Sequence, residues 1–467
     1  MPEPLLILLV GIVTVIGLIV VLRLNAFLAL ITAAMLVSLL SGGPLGTKIS
    51  RVAEAFGNTA GNIGIVIALA AVIGKCLMDS GAADRIVRSF LRVLGEKRAS
   101  VALMGSGFVL SIPVFFDTVF YLLVPLARSL WKQTRKNYML YILAIATGGV
   151  ITHTLVPPTP GPLLMAYTLK IDIGMMILVG SMIGVPTAIV GLLVCQVMNR
   201  LMDIPMRPQS GQAEPDPLPD EALPSLWIAL APVVLPVILI SVNTVTNAVA
   251  EAEHVALVRQ GEVFDWNALC APLARASSDH ATEADRFVAA ALPEDLRATL
   301  AEQADAGVFT EQVQGEVQAA VTGLARQQRM HRQPGFAGLK LSDRAERLLR
   351  RWPDKLSDEE LHEFNWLVLE AAFPDQVKQT PRSRAASITA LIGNANLALL
   401  LSAVIAMLTL LRQRGLSLCE LARTTENALM SGGVIILITA GGGAFGAMLK
   451  HANIESTIND VLGSDGS

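Results

Sequence analysis

Four prolines fall within six residues at Pro157-Pro158-Thr159-Pro160-Gly161-Pro162, in the middle of strongly apolar sequence. Each proline lacks an N–H and clashes with the preceding turn, so no continuous helix passes through this segment. Upstream, a second apolar stretch is interrupted by Pro113, by an acid in Pro113-Val114-Phe115-Phe116-Asp117-Thr118, and by Pro125; the basic stretch Arg128 to Lys136 follows. Broken backbone at membrane depth is tolerated only where protein encloses it or a wet cavity adjoins it. The region from Ser111 to Tyr167 therefore reads as a polar site inside a multi-span protein.

The composition agrees with a membrane setting. Of 467 residues 53% are hydrophobic and 16% charged, and mean hydropathy is +0.55; soluble chains carry about 25% charged residues. Net charge is −3, without a basic arm, so nucleic acid is not expected as a partner. Cys76, Cys195, Cys270 and Cys419 are scattered and form neither a disulfide framework nor a zinc spacing. No nucleophile elbow, P-loop or paired metal motif is present, so neither an enzyme nor a cofactor is expected. Pro2-Glu3-Pro4 lacks the positive region of a cleaved signal, and the first apolar run is expected to stay as a span.

A span needs about 20 apolar residues. The candidates are Leu5–Leu22, Ala26–Leu40, Gly61–Met78, Val101–Ala127, Tyr138–Val156, Ile173–Val197, Leu226–Val249, Ile388–Leu411 and Gly432–Leu449. Lys and Arg mark the cytoplasmic side of short loops. The cluster Arg85, Arg88, Arg92, Lys97, Arg98 and the cluster Arg128 to Lys136 share one side only if Val101–Ala127 enters and returns as a broken hairpin around Pro113–Asp117. Arg200, Arg207, Arg412, Arg414 and Arg423 then fall on that side too, with the N-terminus opposite.

An internal repeat points the same way. A shift of 372 positions lays Arg51-Val52-Ala53-Glu54 on Arg423-Thr424-Thr425-Glu426, Gly61 on Gly433, Gly74 on Gly446 and Leu77 on Leu449 without a gap; Asn25 falls near Asn396. Inverted repeats place a substrate between the halves near the midplane. The expected fold is an all-α polytopic membrane protein, an inverted-repeat secondary transporter with broken helices and re-entrant segments. Its first membrane repeat is 1–206, a linker follows at 207–224, and an incomplete second repeat comprises 225–250 and 387–467. Copy two reaches Ser467 with about a hundred residues of the symmetry unmatched. Residues 251–386 form a soluble helical insertion, with helix starts at Pro293-Glu294-Asp295 and at Ser357, which Glu360 completes as a capping box. Trp266, Phe287, Phe309, Trp352, Phe364 and Trp366 are its candidate core.

The residues Thr152-His153-x-x-x-Pro157-Pro158-x-Pro160-Gly161-Pro162, preceded by Pro113-Val114-Phe115-Phe116-Asp117, resemble the gluconate permease (gluconate:proton symporter) family. Ile435 to Gly446, with Gly441-Gly442-Gly443, resembles its second-half glycine segment. The resemblance covers roughly 5–250 and 388–463. It implies proton-coupled uptake of gluconate or a related small sugar-acid or hydroxy-acid anion across a bacterial inner membrane, with the insertion periplasmic. Thr159 stands where the family commonly has histidine, and the insertion and the unmatched last part also depart from its pattern.

Asp117 is the leading site residue, because an acid at the bilayer centre costs about 3 kcal/mol and is retained for function; the bland alternative is a helix-end cap. His153 can relay a proton or hold the proline loop through its ring N–H. Thr152, Thr154 and Thr159 offer hydroxyls to a polyol acid, or satisfy backbone groups freed by the break. Pro113, Pro157, Pro158, Pro160, Gly161 and Pro162, with Gly441, Gly442 and Gly443, shape the site. Ser111, Ser106, Asn58 and Asn62 add polar lining or permit close packing, and Lys75 snorkels. The partners expected are the anion, protons, the bilayer, and either a second copy or a second chain supplying the unmatched part. Another reading is a transport-inactive, membrane-anchored binding or sensor protein acting through 251–386. A third is a shortened reading frame that needs its missing part from another chain.

Overall fold

The computed structural model describes residues 4–202, 204, 206, 219–260, 265–275, 292–306, 309–317, 377–454 and isolated positions between 286 and 374. It divides into a membrane unit, Met1–Thr244 with Thr389–Ser467, and a second unit, Val245–Ile388. Among the described residues seven helices are long and apolar enough to cross a membrane. The protein is a multi-pass, all-α membrane protein.

The membrane unit begins with α1 (Pro4–Ile16), which runs on as a π turn, and α2 (Ala26–Leu40), whose first turn Asn25 caps. After α3 (Ser50–Asp79) comes the short amphipathic α4 (Ala82–Leu94). Next, α5 (Ala99–Leu110) and α6 (Phe116–Thr134) are separated by a break at Ser111–Phe115, and α7 (Tyr138–Leu155) and α8 (Pro160–Leu169) by one at Val156–Thr159. Then come α9 (Ile173–Met202) and α10 (Leu226–Gln260). The expected span Val101–Ala127 is thus two helices. Pro125 does not end α6, and Pro186, Pro232 and Pro236 lie inside α9 and α10.

The α5–α6 pair is a hairpin. Lys97, Ala99 and Ser100 at the start of α5, Thr134 and Lys136 after α6, and Asn199 and Arg200 at the end of α9 line one cavity, so α5 enters and α6 leaves at the same end. The Asn199 side chain also accepts from the Leu140 N–H (3.0 Å), satisfying one of the first-turn donors of α7. Arg85 and Arg88 belong to this end as well. Arg85 donates to the carbonyls of Asp220 and Pro224 (both 2.7 Å), while Arg88 and Arg92 grip the Asp220 carboxylate at 2.6 and 2.9 Å. The hydrogen bond from Arg88 comes first among the causes that hold the Asp220 carboxyl below the usual carboxylate range. The basic cluster read as a topology signal is therefore also a socket for the end of the linker.

Further along the chain, α13 (Pro381–Ile392) and α14 (Ala395–Arg414) replace the single span expected at Ile388–Leu411, since the chain turns at Gly393–Asn394. Asn394 caps α14 as Asn25 caps α2. The last helix among the described residues, α15 (Leu418–His451), is unbroken through its glycines. It starts with a capping box of Ser417 and Glu420 and crosses α3 antiparallel: Gly443 lies against Thr59, Gly64 against Ile436 and Gly432 against Ala71. Helix α2 packs on α15, and α14 on α3.

In the second unit, α11 (Trp266–Ala274) and α12 (Glu294–Ala306) contribute to a separate core around Phe364 and Trp366, with Phe309, Leu300 and Cys270. Burial pushes the Cys270 thiol up to about 12. Arg344 makes a two-pronged bond to Glu363, and the Ser357–Glu360 box forms. Of the core aromatics expected, Phe287, Trp352 and the Trp266 side chain lie outside the described residues.

A Cβ on Gly148 would run into the Met104 carbonyl, and one on Gly107 would stand 2.9 Å from that of Ile145. Small residues let the α5 and α7 backbones touch. Gly148→Leu is expected to cost about 1–3 kcal/mol or more through overpacking. It should lower the thermal midpoint of the detergent-solubilised protein, while Gly57→Leu, built into open space, should leave it unchanged.

Candidate functional site

The two breaks meet. Ile112 and Pro113 from the hairpin tip, and Pro157 and Pro158 from the second break, line one small apolar cavity with Val66, Ile177 and Leu399. The Pro157–Pro158 bond is cis. Pro113, Pro157, Pro158, Thr159 and Pro162 are buried, Pro160 half-buried and Gly161 exposed. Broken backbone is thus enclosed by protein, as hydrocarbon requires.

What draws the tip onto α7 is a glycine that sequence reasoning did not single out. A Cβ on Gly149 would stand 2.7 Å from the Phe116 ring and 3.1 Å from Ser111 Oγ. One turn further along the same face of α7 is His153, and next to Phe116 is Asp117, at the second position of α6. Asp117 and His153 fall within electrostatic range of each other. The acid is exposed and the imidazole half-buried. The Gly148-Gly149 pair one turn before a histidine was the available signal. It was hidden because small-residue pairs are common in apolar helices.

Two polar atoms near this junction, Ser111 Oγ and His153 Nδ1, are buried and have no hydrogen-bond partner among the described residues. Such groups cost about 1–3 kcal/mol each when left unpaired. The threonines differ. Thr152 donates to the Gly148 carbonyl (3.4 Å) and Thr154 to that of Val150 (2.8 Å). Thr159 shares its proton between the carbonyls of His153 and Val156, both at 2.8 Å. Their oxygens can accept, but their protons are committed to backbone. Among the described residues at the junction, the uncommitted donors are His153, Ser111 and the first N–H groups of α6, together with Gly161 of α8, since Pro160 and Pro162 have none.

Gly441 and Gly442 face Phe27 and Leu30 of α2, and Gly443 faces Thr59 of α3, so this segment packs helices together. Asn58 and Asn62 are exposed, Ser106 bonds its own helix, and Lys75 pairs with Asp79 at 2.9 Å rather than reaching away alone. The cavity between the breaks is about 10 Å³, room for roughly one water and not for a sugar acid. A larger cavity, about 480 Å³, lies within Val245–Ile388, beside His254, Arg344 and Glu370. It holds none of the expected site residues.

The sequence matches the model of the GntP family permeases over residues 3–264 and 367–465, and the chain belongs to that family. Its class is that of membrane permeases rather than enzymes. A gluconate permease of Pseudomonas aeruginosa is 35% identical over 250 residues, covering 52% of this chain and 55% of that protein. An uncharacterized permease of Haemophilus influenzae is 32% identical over 255 residues (53% and 52%). The Gnt-II system L-idonate transporter of Escherichia coli is 29% identical over 243 residues (52% and 55%). The chain spans about half the length of the curated relatives it matches.

Gly149→Val is expected to lift the tip off α7 and separate the acid from the imidazole. In a Cys419→Ser background, an Asp117→Cys/His153→Cys pair should be joined by a short bifunctional thiol reagent. Adding Gly149→Val should abolish the cross-link, and Gly149→Ala should weaken it.

Proposed function

We propose that the chain acts in proton-coupled uptake of gluconate or a related small sugar-acid anion across a bacterial inner membrane. The observation that carries this is the junction itself: an acid at a helix start, brought beside a histidine where two interrupted helices meet. Asp117 is the proton carrier. A carboxyl moved between wet and dry surroundings changes its proton affinity, because desolvation disfavours the charged form. His153 and the exposed N–H groups supply donors to the substrate carboxylate, and the threonine oxygens accept from its hydroxyls. The printed names of the relatives, gluconate permease and L-idonate transporter, support this substrate class. With cytoplasmic Arg85, Arg88, Lys97, Lys136 and Arg200 at one end, the N-terminus and the insertion are periplasmic. The narrow junction corresponds to a closed state, and the anion enters as the breaks part.

A second reading takes the insertion as a binding module. Its own core and charged cavity support it. In that case gluconate shifts the thermal midpoint of the protein but is not accumulated.

The test is gluconate uptake into proteoliposomes holding this chain under an imposed pH gradient. Accumulation that a protonophore collapses is the expected result; none, from folded protein, overturns the carrier reading. Asp117→Asn should reduce proton-driven accumulation to the level of protein-free vesicles while sparing gluconate exchange. Equal loss of both would make Asp117 a binding or structural residue.

A further inference from the structure

The cavity that joins the ends of α5, α6, α7 and α9 carries charge of one sign. Its volume is about 560 Å³, and its described lining holds Lys97, Lys136 and Arg200 but no carboxylate. At the same end Arg88 and Arg92 are engaged by Asp220, and Arg85 by backbone carbonyls. The Lys97, Lys136 and Arg200 side chains are exposed and make no ion pair or hydrogen bond among the described residues. The starts of α5 and α7 are balanced by the ends of α6 and α9, so the positive field is that of the side chains. A cleft lined by one sign of charge concentrates ions of the other.

The walls of this cavity are fixed. Asn199 on α9 accepts from the Leu140 N–H and donates to Asn137 Oδ1, both at 3.0 Å, which ties the end of α9 to the start of α7. Arg135 and Asn137, with φ of 54° and 61°, turn the chain on either side of Lys136. Ser100 and Gln196 add side-chain donors. The cavity stands at headgroup depth. Arg200 is in the last turn of the apolar span Ile173–Met202, and Tyr138 opens the span Tyr138–Leu169. Tyr138 packs edge-on against Trp131 at 6.4 Å, and Arg135 lies 5.0 Å over the Trp131 ring, as aromatic and basic side chains do at a membrane interface. One turn deeper, on the same face of α9 as Gln196 and Arg200, Leu193 and Val197 are 56% and 53% exposed.

We infer that this cavity binds the phosphate headgroup of an anionic phospholipid, whose acyl chains run along Leu193 and Val197. Lys97, Lys136 and Arg200 pair with the phosphate oxygens, while Ser100 and Gln196 donate to the remaining headgroup oxygens. A choline headgroup is disfavoured, because its ammonium would meet three cations. A soluble phosphate would use the cations alone, whereas the exposed apolar strip beneath them fits a lipid. The site shares no residue with the junction of the two breaks. The inference therefore holds or fails independently of the transport reading.

The experiment is native mass spectrometry of the full chain in detergent, titrated with dioleoylphosphatidylglycerol or dioleoylphosphatidylcholine at constant ionic strength. One phosphatidylglycerol should be retained about tenfold more tightly than phosphatidylcholine or better, given about fivefold per basic residue at a membrane surface. On the same scale Lys136→Gln/Arg200→Gln should weaken it about 25-fold. Arg412→Gln/Arg423→Gln removes the same charge from exposed residues outside the cavity, and should change it less than about twofold, since attraction falls off within a Debye length. Equal retention of the two lipids, or equal loss in the two double variants, would overturn the inference. Displacement of the lipid by inorganic phosphate or by gluconate would overturn it too, assigning the cavity to a soluble anion. If Lys136→Gln/Arg200→Gln does not fold, Lys97→Gln repeats the test with a loss of about fivefold expected.

Discussion

A peptide group left unpaired in hydrocarbon costs several kilocalories, and the membrane unit is arranged around two places where helices break. Ser111–Phe115 and Val156–Thr159 cannot face lipid. They face one another, and Val66, Ile177 and Leu399 close over them. Bare backbone on α7 makes this possible, because Gly148 takes the Met104 carbonyl and Gly149 takes Phe116 and Ser111. The candidate residues Asp117 and His153 are placed by that contact. Asp117 falls in the first turn of α6, which starts after the break at Pro113, and His153 falls within its electrostatic range, one turn after Gly149 on α7.

The same constraint explains the threonines. A break frees carbonyls as well as N–H groups, and Thr159 answers two of them while Thr152 and Thr154 turn back on their own helix. The prolines remove donors where none would be paired. At the junction, Ser111 Oγ, His153 Nδ1 and the starts of α6 and α8 stay unpaired among the described residues.

Around this half, α3 and α15 supply an axis. They cross antiparallel, with α2 packed on α15 and α14 on α3, and the hairpin tip seats on α3 at Gly74. The second unit is built differently, as a separate core around Phe364 and Trp366 with charge pairs such as Arg344–Glu363. It shares no site residue with the membrane unit.

Much was legible in the chain. Apolar runs, the basic clusters and the proline cluster were enough for an all-α membrane fold with broken helices, because each reports a local rule: span length, loop charge, a missing N–H. Asp117, His153 and the prolines were found by the same route, as residues that lipid does not accept. Boundaries were less legible. The run at Ile388–Leu411 hides a turn at Gly393–Asn394, and Pro125 reads as an interruption but stays inside α6. Whether the freed carbonyl of an interior proline is met depends on its neighbours, which no window of sequence contains. By itself the sequence determined which segments are apolar enough to span a membrane and which residues stand out within them, since both follow from the chemistry of single residues in hydrocarbon. Only the tertiary structure decided that the two breaks face each other, that Gly149 brings Asp117 beside His153, and that Gly441 to Gly443 pack helices, because those outcomes depend on which backbones can approach closely enough to touch.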